Sequence, residues 1–111
     1  MKFRQFVEQT KIVLWVDDIR PMPTNFNQHA TTEVQAIEIL KTGNVVEISL
    51  DHDLGPQEAG SGYGIAKFIE EQAYYNTLRP LKWAIHSANI VGQKNIRMAL
   101  ENADKFWRNH E

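Results

Sequence analysis

The chain has 111 residues, with 12 basic and 14 acidic side chains for a net charge of −2, and no cysteine. That length suits a single domain over 1–111, which buries roughly two thirds of the surface its unfolded chain exposes and needs no covalent staples. The missing cysteines exclude a disulfide scaffold, a thiolate zinc site and a cysteine nucleophile, and the acidic surplus argues against general nucleic-acid binding.

In chain order, Phe3, Phe6 and Val7 stand at helical spacing. Lys2, Arg4, Glu8 and Lys11 have no apolar stretch between them, so no signal peptide is expected. Ile12–Val16 is the longest strictly apolar run. It reads as a strand ending at Asp17-Asp18 and falls far short of the ~20 residues of a membrane helix, so the expectation is a cytoplasmic protein with no membrane partner. A loop with Pro21 and Pro23 precedes a weaker strand near Phe26 to Ala30. Thr32-x-x-Gln35 is a capping box opening a helix with Val34, Ile37 and Leu40 on one face and Gly43 as its stop. Val45–Leu50 is the next strand, ending at Asp51-His52-Asp53. A Gly60-Ser61-Gly62-Tyr63-Gly64 segment then leads into a helix striped by Ile65, Ala66, Ile69 and Ala73. Leu81–Ile85 is a further strand, ending at His86-Ser87. The last helix carries Ile96, Leu100, Ala103 and Trp107 on one face, and the i,i+4 pairs Arg97–Glu101, Glu101–Lys105 and Asp104–Arg108 on the other.

Strands alternating with helices predict an α/β fold, an open parallel sheet of about four strands with helices on both faces. The carboxyl ends of parallel strands share one edge, where ligands bind. Asp17, Asp18, Asp51, His52, Asp53, His86 and Ser87 should therefore converge from three strands.

Two like charges about 4 Å apart repel by about 4 kcal/mol at an effective dielectric near 20. Four carboxylates in one crevice thus call for a cation or for raised pKa values. A divalent ion on Asp17, Asp18 and Asp51 resolves the conflict, and oxygen ligands favour magnesium or manganese. The plain alternative is that such residues only cap helices or turn the chain. His52 and His86 each end an apolar run beside a carboxylate or hydroxyl, which suits acid–base work. If Asp51 points into the site, His52 points away. His29 is expected to be structural and His110 solvated. Ser87 could orient a phosphate oxygen, and either it or Asn89 could cap the last helix. The Gly-rich segment lacks the Lys-Ser/Thr ending of a P-loop and reads as a flexible loop. Arg20 and Lys94 are candidate phosphate partners, as is Arg97 unless it simply lies on a solvated helix face. Trp15 and Trp83 are most simply core.

A strand ending in Asp17-Asp18, a second ending in Asp51 and a third ending in Ser87 resemble response-regulator receiver domains, although the chain stops where their fifth strand and site lysine would follow. A narrower likeness is closer. Leu14-Trp15-Val16-Asp17-Asp18-Ile19-Arg20-Pro21, Ser49-Leu50-Asp51-His52-Asp53-Leu54-Gly55, Gly62-Tyr63-Gly64 and Ile85-His86-Ser87-Ala88-Asn89 resemble the cyclic-phosphate-processing receiver-like domains of phages and bacteria. These blocks span about residues 12 to 97. The resemblance implies a receiver-like, flavodoxin-like sheet without the fifth strand, and substrates that are cyclic nucleotides or other cyclic phosphates.

The expected function is a metal-dependent phosphoesterase with magnesium or manganese on Asp17, Asp18 and Asp51. His86 moves a proton with Asp53 or His52, and Ser87, Asn89, Arg20 and Lys94 hold the phosphate. The alternatives are a protein of the same fold that sequesters a nucleotide signal, and a receiver-like interaction switch phosphorylated on Asp51.

Overall fold

The computed structural model describes residues 11–111; the helical spacing of Phe3, Phe6 and Val7 lies outside them. Four strands, β1 (Ile12–Val16), β2 (Gln28–Ala30), β3 (Val45–Leu50) and β4 (Lys82–Ile85), form one sheet in the order β2-β1-β3-β4. Every pairing is parallel. The helices are α1 (Glu33–Leu40), α2 (Gly62–Tyr74), which follows a 3-10 turn over Gln57–Ala59, and α3 (Ile90–Asn109). This is an α/β, receiver-like sheet of the flavodoxin type, with no fifth strand among the described residues. Among the described residues no helix is long and apolar enough to cross a membrane.

The crossovers β2 to β3 and β3 to β4 run the same way across the sheet. Right-handed connections therefore put α1 and α2 on one face, and α3 packs along α2. Leu14, Val16, Ile48 and Leu50 supply the sheet's share of that core. Leu40, Ile65, Ile69, Ile96 and Leu100 supply the helices' share. The connection running the other way, β1 to β2, is the one that would cover the second face. It is a loop through Pro21 and Pro23, so among the described residues the helices cover one face. Strand alternation gives the second face Trp15, Ser49 and Ala84, partners across β1, β3 and β4.

Local departures have physical reasons. Val34 is 68% exposed, while Ala36 and Leu40 are buried, because residues two apart on a helix point about 200° apart. Thr32 caps α1 through the Gln35 backbone N–H, but the Gln35 side chain returns to the Thr31 N–H rather than to Thr32. Strand β4 begins at Lys82, one residue later than expected. None of the three i,i+4 charge pairs on α3 forms an ion pair. Instead Trp83 donates its indole N–H to Asp104, and Arg97 lies over the Trp83 ring. Exposed pairs contribute at most about 1 kcal/mol, so little stability rests on whether they form.

Candidate functional site

Ladder bonding runs one residue past β1, β3 and β4. Asp17 N–H donates to Ala30, Asp51 N–H to Val16 and His86 N–H to Leu50. These three side chains thus stand on a rigid edge rather than on free loops. Oxygens of Asp17, Asp18 and Asp51 all lie within 4.8 Å of one another.

Asp17 is fully buried and tied on every side. Its Oδ1 accepts the backbone N–H of Ile19 and of Arg20, each at 2.8 Å, and its Oδ2 lies 3.0 Å from His86 Nε2. His29 Nε2 donates to its carbonyl at 2.7 Å, a structural role. Burial works to raise the Asp17 pKa, but the two backbone donors and His86 outweigh it and hold the carboxyl below its ordinary 3.8. Burial pushes the His86 pKa below its ordinary 6.5, against the opposing pull of Asp17. The pair therefore rests as carboxylate and neutral imidazole. His86 also stacks on Trp15, with ring centroids 3.8 Å apart and planes 6° from parallel, and its Nδ1 lies 2.7 Å from Ser49 Oγ.

Both groups bind fewer protons in the folded state than in the unfolded one, so stability rises with pH. It should be fully present above the unfolded His value of 6.5 and fall as acid forces charge onto His86. A second fall should follow below 3.8 as Asp17 protonates. Denaturant titrations at successive pH values test this expectation. A flat profile between roughly pH 7 and 5, or one that His86→Gln leaves unchanged, would refute it.

Beside this pair opens a cleft of about 390 Å³ walled by Asp18, Arg20, Asp51 and Asp53 together with Ile19, Gly55 and Ala88. Asp18 and Asp51 are half-buried and make no side-chain hydrogen bond or ion pair with the described residues. Asp53 Oδ1 lies 2.9 Å from His52 Nδ1, and its Oδ2 lies 3.5 Å from the Asn89 amide nitrogen. The His52 contact leads in holding the Asp53 carboxyl below its ordinary value.

The other expected site residues have more local tasks. His52 turns from the cleft onto the start of α3, where Gly92 leaves room for its ring. Asn89 caps α3 by accepting the Gly92 N–H, and buried Ser87 accepts the Asn89 N–H. Arg20 reaches across to donate to the His86 carbonyl while remaining on the cleft wall. Lys94 is exposed on α3 outside the wall, and His86 also lies outside it.

The Gly-rich segment is a packing device rather than a flexible loop. Ser61 N–H donates to the Glu33 carboxylate at 3.0 Å, so the anion at the start of α2 is the chain's own. Gly62 N–H donates to the His52 carbonyl at 2.9 Å. A Cβ on Gly62 would stand 2.0 Å from the Asp51 carbonyl oxygen. The segment thus braces the backbone that carries Asp51 and Asp53.

Ser49, Trp15 and Glu33 are the residues that reasoning from sequence missed. A lone serine inside an otherwise apolar strand was the available signal for the first.

A family model described as the cyclic-phosphate processing receiver domain matches residues 12–102, and the chain belongs to that family. No curated protein and no solved structure matches it.

Proposed function

We propose that this cyclic-phosphate processing receiver domain opens a small cyclic phosphate, a cyclic nucleotide or a related cyclic ester, by metal-assisted hydrolysis. The observation that carries the reading is the convergence of Asp17, Asp18 and Asp51 oxygens within 4.8 Å at the edge of a cleft. The donor set fits a divalent ion. It is all oxygen, which suits magnesium or manganese, and Asp18 and Asp51 have no side-chain partner among the described residues to satisfy their charge. When bound, such an ion would polarise the phosphoryl oxygens and lower the pKa of a coordinated water.

The chain's own groups divide the rest of the work. Asp53 stays ionised through His52 and stands on the cleft wall, so it can take the proton of the attacking water. As the ring P–O bond breaks, the same carboxyl returns that proton to the leaving oxygen, and the product is a linear phosphate monoester or diester. Arg20 is the cationic side chain of the wall and faces the phosphate's charge. His86, with both ring nitrogens engaged, serves by holding Asp17 rather than by moving the proton itself.

The test is chromatographic product analysis after incubation with 2′,3′- and 3′,5′-cyclic nucleotides and cyclic dinucleotides. Magnesium or manganese is supplied first, then chelator. The expected result is a linear product that disappears with chelator. Intact ligand retained stoichiometrically by the protein would replace this reading with sequestration. Acid-labile phosphate on Asp51 after treatment with a small phosphodonor, with no cleavage, would favour the interaction switch.

A further inference from the structure

Ser49 is a polar residue in the middle of apolar β3 and is only 4% exposed. A buried hydroxyl is costly unless it is hydrogen-bonded. Among the described residues its side-chain partner is His86 Nδ1, at 2.7 Å. The register explains the meeting. Trp15, Ser49 and Ala84 are partners across three strands, and His86 follows Ala84 by two residues, so it turns to the same face. Trp15 then lies flat beneath the imidazole and limits its rotation.

Each nitrogen of a neutral imidazole is either donor or acceptor, never both. Asp17 Oδ2 can only accept, so Nε2 carries the hydrogen and Nδ1 must be supplied with a donor. Ser49 Oγ–H supplies it. We propose that Ser49 is a positioning residue of the acidic site, holding His86 in its Nε2–H form so that the ring fixes the Asp17 carboxylate towards the cation. Asp17 Oδ1 is already held by two backbone donors, and the His86 bond to Oδ2 removes the remaining freedom of the carboxylate plane.

The row Asp17–His86–Ser49 has the connectivity of a nucleophilic triad, but its serine is buried and does not line the cleft. A group that cannot reach substrate acts through its neighbours. The cation half of this inference rests on the reading proposed above, whereas the tautomer half stands on the hydrogen bonds alone.

The experiment combines nitrogen-15 NMR of the His86 ring, at about pH 8 where imidazole is neutral, with titration of Mn²⁺ alone. In the unmutated protein, Nε2 should be protonated and Nδ1 should show the signal of a hydrogen-bonded acceptor. Ser49→Ala should alter the Nδ1 signal and weaken Mn²⁺ binding by about 10- to 100-fold, and Ser49→Thr should restore both. A protonated Nδ1 in the unmutated protein would overturn the proposal, as would unchanged Mn²⁺ affinity in Ser49→Ala. The unmutated spectrum decides the tautomer even if a variant does not fold. No Mn²⁺ binding by the unmutated protein would instead overturn the metal reading, and the cation half of this proposal with it.

Discussion

Asp51→Asn should lower the rate of ring opening by about 10²- to 10⁴-fold, the several kcal/mol that a Lewis-acid contact contributes to a phosphoryl transition state. The fold should survive, because the Asp51 carboxylate sits at a cleft edge beside two like charges and has no side-chain partner among the described residues. Removing one of three crowded negative charges relieves repulsion, so the melting temperature in chelator should be no lower than that of the unmutated protein. A cation that binds only the folded state adds about 2.7 kcal/mol at a hundred times its dissociation constant. That metal-induced rise in melting temperature should be clear in the unmutated protein and absent from Asp51→Asn. Thermal melts with and without Mg²⁺ or Mn²⁺, run beside the product assay, measure both effects. A variant that keeps its rate and its metal-induced shift would remove Asp51 from the site.

Gly62→Ala should be the most damaging small substitution in the described chain. Its new Cβ would lie 2.0 Å from the Asp51 carbonyl oxygen and 2.9 Å from the Asp51 carbonyl carbon, both backbone atoms that cannot swing aside. Relief requires α2 to move off the β3 end, breaking the Gly62 N–H bond to His52 and shifting the backbone that aims Asp51 and Asp53. Overpacking of this kind costs about 3 kcal/mol or more. In a domain of this size that lowers the melting temperature by at least about 10 °C. Gly43→Ala is the control. Gly43 has φ of 78° but nothing within 4 Å of a new Cβ, so only the strained backbone is felt, at about 1–2 kcal/mol. Equal losses in the two variants would show that close packing under Asp51 is not the cause.

Much of this architecture was legible because the signals are local. Ile12–Val16 and Val45–Leu50 are β-branched-rich runs each followed by an aspartate, and both strands begin and end where that pattern places them. The stripe Ile96, Leu100, Ala103 and Trp107 is buried along α3 because a single periodicity decides which face meets the core. The acidic cluster could be anticipated for a global reason that still needs only topology. Strands that are all parallel deliver their carboxyl ends to one edge, so Asp17, Asp18 and Asp51 had to meet.

What stayed hidden depends on register and on contacts between distant segments. Trp15 read as ordinary core because nothing near it in sequence announces that β1, β3 and β4 align it with Ser49 beneath His86. The glycines around the start of α2 suggested a loose loop, yet they answer to Glu33 and to the Asp51 backbone, neither of which is a sequence neighbour. The chain order of its residues therefore determined which elements form, which edge gathers the carboxylates and which family the blocks match. Tertiary structure alone decided that His86 holds Asp17 while Asp18 and Asp51 have no side-chain partner among the described residues, and that His86 turns both nitrogens inward. The physical reason is that periodicity encodes the direction of a side chain within its own element. The partner it meets is set by strand register and close packing, which involve residues 28 to 69 positions apart along the chain.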